Sequence, residues 1–99
     1  MDMTKIGTFN IDESFNITNR GIVVLGHSTD TIMKLGQYVT LDIKGTTTAY
    51  KIIGTEIGKK FDAEYMKIGL LLSIADQTLV NYIAQNKIIN KTVDILTLA

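Results

Sequence analysis

The sequence predicts an all-β domain, built as a sandwich or a barrel, and three observations carry that prediction. Several short segments alternate apolar and polar residues with the period of two that is typical of strands. Glycine-containing turns separate these segments at fairly regular intervals. Only residues 76–84 carry a helical pattern, and the chain contains no proline and no internal repeat. Because it has 99 residues, we expect a single domain over residues 1–99.

A hairpin is predicted near the N-terminus. Residues 6–12 alternate and form either a first strand or the leading half of a long bent strand. The alternation continues through Phe15 and Ile17, which point to one side of a half-buried strand. Residues 19–21 are Asn, Arg and Gly, and they predict a tight turn because Asn and Gly tolerate a positive φ. Residues 22–25 then read as an apolar, mostly buried strand.

Four more strands follow, at residues 37–44, 48–57, 67–74 and 92–98. In the second of these the alternation slips at Gly54, which often marks a bulge. Asp76 is predicted to cap the short helical segment, whose apolar side chains Leu79, Val80 and Ile83 share one face. Closure into a barrel would remove sheet edges that expose a small domain to aggregation.

Composition excludes several classes of function. The ten basic and ten acidic residues cancel, so no global field draws the chain to nucleic acid or to an anionic membrane. The absence of cysteine excludes disulfides and thiol chemistry, and a single histidine argues against a metal site. No segment resembles a secretion signal or a membrane span, so we expect a cytoplasmic protein that does not contact the membrane.

Five motifs in register resemble the second domain of elongation factor Tu and related translation GTPases. The opening hairpin, SFNITNRG at residues 14–21 with Val23, Val24 and Gly26, is similar to theirs, and four later motifs follow in the family's order. These later motifs are MKLGQYVTL at residues 33–41, IIGTEI at 52–57, IGLLL at 68–72 and a polar turn at 76–85. The resemblance extends from about Phe9 to Ile95. It implies a closed antiparallel barrel of about six strands, of the translation-factor second-domain type.

The resemblance also implies candidate binding residues. In the family this domain helps to hold the aminoacylated 3′ end of transfer RNA. Glu56 matches a glutamate that lies against the terminal adenine, and Lys59 keeps a positive charge beside it. Asp12 and Glu13 stand near an acidic pair that lies next to the amino-acid pocket in the family. Lys67 replaces a polar residue, often asparagine, that touches the aminoacyl group. Lys60, next to Lys59, is a further candidate for binding RNA.

A nucleotide site is not expected. Residues 54–60 have glycines and lysines, but their spacing is one residue short of a phosphate loop, and Lys60 stands where Ser or Thr must hold magnesium. A basic surface with interleaved aromatic side chains is one interpretation of Lys44, Lys51, Lys59, Lys60 and Lys67 with Tyr50, Phe61 and Tyr65. The alternative is that the lysines protect the sheet from edge pairing while the aromatic residues belong to the core or its rim.

We therefore expect a binding module that is not an enzyme and holds no cofactor. Its ligand would be the transfer RNA acceptor end or a partner from the translation machinery, bound through Glu56, Lys59, Lys60 and Lys67. The alternative is a protein-interaction or homo-oligomerising barrel with no RNA role. Its candidate surface is a second apolar face formed by Leu71, Ile53 and Tyr38, which alternate away from the main core pattern.

Overall fold

The polypeptide forms a closed, six-stranded antiparallel barrel with one short helix packed against it. The computed structural model describes residues 2–28, 30–58 and 67–98. The elements in chain order are β1 (Met3–Ile17), β2 (Gly21–His27), β3 (Tyr38–Ile43), β4 (Thr46–Gly58), β5 (Lys67–Leu72), α1 (Gln77–Gln85) and β6 (Lys91–Leu98). Around the barrel the order is β1-β2-β5-β4-β3-β6, and β6 closes the sheet against β1. The predicted closed six-stranded barrel with one short helix is confirmed.

A bulge in β1 lies beside a close backbone contact with β2. The register shifts between Ile11, which pairs with Gly26, and Glu13, so Asp12 is an extra residue in β1. Gly26 is buried, and a Cβ atom at this position would lie 1.8 Å from the carbonyl oxygen of Asn10. Only a glycine therefore lets the two backbones approach so closely.

The bulge reverses the orientation of the side chains that follow it. Phe9 and Ile11 point into the barrel and are buried, and the next inward position is taken by Ser14. Phe15 and Ile17 consequently lie on the outer face, where each is 37% exposed. Of the two interpretations of this segment, the long bent strand is the one observed. After residue 12, however, the apolar side chains of the alternating pattern lie on the outside of the barrel and not in the core.

Turn and bulge chemistry shape the other side of the barrel. The β3–β4 hairpin turns at Lys44 and Gly45, whose φ angles are 54° and 80°. This pair of left-handed residues is typical of a tight hairpin turn. In β4 the register shifts between Ile52 and Gly54, as the slipped alternation predicted, and Ile53 is the extra residue.

The core lies inside the barrel and receives side chains from every strand and from the helix. Its buried apolar residues are Phe9, Ile11, Ile22, Val24, Met33, Val39, Leu41, Ile52, Leu70, Leu72, Val80, Ile83 and Ile95.

Asp76 caps α1 as predicted, because its carboxylate accepts hydrogen bonds from the N–H groups of Thr78 and Leu79. The buried Ser14 hydroxyl accepts a hydrogen bond of 2.9 Å from the Ile88 N–H, which ties the segment after α1 to β1. No helix in the described ranges is long and apolar enough to cross a membrane.

A polar contact fastens the segment after β2 to the outside of β1. The Asp30 carboxylate accepts hydrogen bonds from the backbone N–H and the hydroxyl of Thr8, and from the Ser28 hydroxyl. The Thr8 N–H and then the Ser28 hydroxyl lower the pKa of the Asp30 carboxyl below its ordinary value. Gly7 leaves room for this segment, since a Cβ atom there would lie 2.6 Å from the Thr31 methyl group.

The close approach at Gly26 predicts an unusually costly substitution. Gly26→Ala should lower the free energy of unfolding by more than about 3 kcal/mol, because the added methyl group can be accommodated only by moving backbone. Gly69→Ala is the matched control: this glycine is also buried in a strand, but a Cβ atom there meets nothing closer than 3.3 Å. Its effect should stay within about 1 kcal/mol. Urea unfolding of the three proteins measures the difference, and equal midpoints for the two variants would contradict the prediction.

Candidate functional site

A shallow groove lies on the outer face of the barrel, over strands β2, β5 and β4. We call it the outer groove; its lining residues are Ile17, Arg20, Val23, Gly54, Thr55, Glu56, Gly69 and Leu71. Its volume is about 90 Å³. The outward rows of the three strands bring these residues together, since Val23 pairs with Leu71, Leu71 with Gly54, and Gly69 with Glu56. The groove therefore has an apolar floor assembled from three strands that are far apart in sequence.

Two glycines keep the outer groove open. A Cβ atom at Gly54 would lie 3.2 Å from the Leu71 Cβ, and one at Gly69 would lie 3.3 Å from the Val23 Cγ1. Both distances are shorter than ordinary van der Waals contact, so a side chain at either position would press on the groove floor. Because neither position carries a side chain, Val23 and Leu71 stay accessible to a flat molecule that approaches from outside.

One edge of the outer groove carries a pair of opposite charges. The Arg20 Nη1 atom lies 3.5 Å from the Glu56 Oε1 atom, and the two side chains are 58% and 75% exposed. The β1–β2 turn places the arginine there, since Asn19 and Gly21 adopt positive φ angles on either side of it. An ion pair this exposed contributes little to stability, so both side chains can turn to a ligand at low cost.

A second, more buried pair joins β1 to β5. The Lys67 Nζ atom lies 2.5 Å from the Asp12 Oδ2 atom, and the side chains are 13% and 26% exposed. The bulge in β1 supplies the carboxylate, and Lys67 is the first residue of β5. Lys67 pairs in register with Gly58, two positions along β4 from Glu56. Because the lysine contacts Asp12, these two predicted binding residues satisfy each other's charge.

The predicted site residues thus fall into separate arrangements. Glu56 contacts Arg20, and Asp12 contacts Lys67. Glu13 pairs with Leu25 in register and lies on the outer face, on the far side of β2 from the groove floor. The candidates Lys59 and Lys60, together with Phe61 and Tyr65 of the predicted basic surface, lie outside the described residues. Its third aromatic residue, Tyr50, lies in β4 and packs against the core. Lys44 and Lys51, which belonged to the predicted basic surface, lie on the β3–β4 hairpin, and Lys44 contacts the Tyr82 ring.

Sequence reasoning did not single out Arg20 as a site residue. It is the one arginine of the chain and stands in the turn of the opening hairpin. That position is the one feature of the sequence that could have indicated a binding role for Arg20. Its contact with Glu56 spans three strands of the barrel, which no local pattern reveals. Within the described part of the chain, no three His, Cys, Asp or Glu side chains lie close enough together to hold a metal ion.

The two ion pairs should differ in their contribution to stability. In a double-mutant cycle with alanine, we expect a coupling energy of about 1.5–3 kcal/mol for Asp12 and Lys67, because burial strengthens a charged hydrogen bond. For Arg20 and Glu56 we expect about 0.2–1 kcal/mol, because water screens the exposed pair. Urea unfolding of the single and double variants provides both values. A larger coupling for the exposed pair would contradict this assignment.

Comparison with known proteins does not identify a relationship. No protein-family model matches the chain, and neither a curated protein nor a solved structure matches it. The assignment of a closed barrel therefore rests on the strand pairing described above. The resemblance to the second domain of elongation factor Tu remains a prediction from five sequence motifs.

Proposed function

We propose that this barrel is a non-enzymatic binding module whose outer groove takes the terminal nucleoside of a transfer RNA acceptor end. The observation that carries the proposal is the position of Glu56. It stands at the edge of an apolar groove floored by Val23 and Leu71 and kept open by Gly54 and Gly69. The sequence resemblance implies that a glutamate at this position lies against the terminal adenine.

The chemistry of the groove suits a nucleoside. Aliphatic side chains provide a flat apolar surface for one face of a base. A carboxylate such as Glu56 accepts hydrogen bonds from a ribose hydroxyl or from an exocyclic amine. The Arg20 guanidinium, 3.5 Å away, can instead contact the adjoining phosphate through two N–H groups. One carboxylate and one guanidinium on an apolar floor thus offer a partner for each part of a terminal nucleotide.

The second ion pair bears on what the RNA end carries. Asp12 and Lys67 contact each other instead of presenting free polar groups. An aminoacyl group would have to displace Lys67 from a half-buried carboxylate, which costs free energy. We therefore expect an acceptor end without an amino acid to bind at least as well as an aminoacylated one.

The first test is fluorescence anisotropy of a labelled minihelix ending in CCA, titrated with the protein over a series of salt concentrations. Glu56→Ala should weaken binding by about tenfold, the equivalent of one charged hydrogen bond. Arg20→Ala should weaken binding and reduce the salt slope by about 0.7, the value for one contact with a single-stranded phosphate.

The controls separate the groove from general charge. Asp2→Ala and Lys34→Ala remove exposed charges of the same signs that do not line the groove, and they should leave the affinity unchanged. A minihelix ending in CC should bind more weakly, because it lacks the terminal nucleoside. Equal affinity for the CC and CCA ends, or no binding by wild type at low salt, would count against the proposal.

Self-association through the same outer face is the second candidate function. Phe15 and Ile17 are each 37% exposed there, and Ile53, the bulge residue of β4, is 50% exposed. Two residues of the predicted second apolar face, Leu71 and Ile53, lie at or next to the outer groove. Since the net charge is zero, little repulsion opposes the meeting of two such faces. A second copy of the chain would cover them.

Self-association predicts a mass that rises with concentration. In sedimentation velocity or light scattering, wild type should shift from monomer toward dimer, and Ile53→Lys should remain monomeric. Ile89→Lys is the matched control, because Ile89 is 54% exposed and lies outside the outer groove. A wild-type monomer at millimolar concentration would exclude this function. An equal effect of the two lysine substitutions would show that the outer face is not the contact.

A further inference from the structure

A second, larger concavity lies at the end of the barrel where the β3–β4 turn faces the C-terminal end of α1. We call it the end cleft. Its volume is about 460 Å³, within the range of small-molecule sites, and it shares no lining residue with the outer groove. Leu41 and Ile43 of β3, Ile88 and Val93 form much of its apolar surface. All four belong to or pack against the core, so this surface is continuous with the packed interior of the barrel.

The charged side chains around the end cleft are mostly basic. Lys44 comes from the β3–β4 turn, Lys87 from the segment after α1, and Lys91 from the start of β6. Among the residues that the structure describes, Asp42 is the one acidic side chain that lines the cleft. Among the described residues, none of the three lysines forms an ion pair. A cleft with three ammonium groups and one carboxylate has an electrostatic preference for an anion.

Aromatic rings position two of these ammonium groups. The Lys44 Nζ atom lies 4.3 Å from the centre of the Tyr82 ring, and the Lys87 Nζ atom lies 5.4 Å from the centre of the Phe15 ring. A ring face attracts a cation but carries no net charge, so these contacts orient the ammonium groups without neutralising them. A carboxylate partner in the same places would have cancelled the charge.

The backbone conformation of Lys44 also supports a role for this side chain at the cleft. Its φ of 54° is a left-handed conformation that Asn and Gly adopt more readily than lysine in a hairpin turn. The chain therefore places a lysine where local conformational preference favours a smaller residue. The resulting ammonium group stands over Tyr82 at the wall of the end cleft.

We propose that the end cleft binds a small amphipathic anion. Its aliphatic or aromatic body would lie among Ile43, Ile88 and Val93, and its carboxylate or phosphate head would contact Lys44 and Lys91. This site is separate from the outer groove, so it does not depend on the RNA function proposed above. The small volume favours such a molecule over a peptide helix, which needs a groove several turns long.

Octanoate is the probe, and amide chemical shifts of the full-length protein are the readout. A titration below the micelle concentration should give saturable shifts confined to residues 41–44, 82–83 and 86–93. Lys44→Gln and Lys91→Gln should each weaken binding about two- to fivefold, as expected for one exposed charge contact. Lys34→Gln, an exposed lysine outside the cleft, should leave the affinity unchanged. Titration of monooctyl phosphate in parallel identifies the preferred head group, and preference for either one supports the proposal.

Two substitutions at one position, which differ from each other only in charge, separate an effect on binding from an effect on folding. Ile89 lines the end cleft but is 54% exposed, so it tolerates polar replacement. Ile89→Asp should bind octanoate more weakly than Ile89→Asn, which has nearly the same size and no charge. The proposal is overturned if octanoate produces no saturable shifts, or if the shifts fall on the outer groove. Equal affinity for octan-1-ol, or equal binding by the two Ile89 variants, would overturn it as well.

Discussion

The contact between the β1 backbone and Gly26 is the constraint on which the rest of this barrel depends. A side chain at residue 26 would collide with the Asn10 carbonyl, so the two strands can approach this closely only at a glycine. The close contact adjoins the extra residue Asp12, after which the inward and outward faces of β1 exchange. Three features follow from that exchange: Ser14 points inward and binds the Ile88 N–H, Ile17 lines the outer groove, and Asp12 reaches Lys67.

The sequence was a good guide wherever the structure follows from local pattern. Alternation and turn residues locate the six strands to within a few positions, and Gly54 correctly marks the bulge in β4. The cap at Asp76 was predictable for the same reason, because a capping side chain bonds to backbone only two or three residues away. Such features need no knowledge of which strands become neighbours.

The features that sequence did not reveal depend on neighbours that are distant along the chain. Nothing in the residues around Asp12 marks a bulge, and the close backbone contact beside it involves Gly26 on another strand. The orientation of Phe15 and Ile17 was therefore open to the opposite interpretation. Arg20 and Glu56 lie far apart along the chain. They come together because β5 lies between β2 and β4 in the barrel. The same holds for the end cleft, whose lysines come from three separate elements.

Closure of the barrel by its first and last strands also has a mechanical consequence. Met3 pairs with Leu98 and Ile11 with Lys91, so the two ends of the described chain lie side by side on one ladder. A force that pulls these ends apart acts across the ladder, on one pair of hydrogen bonds after another, and does not shear all the pairs at once. The barrel should therefore peel open from this seam under a modest load.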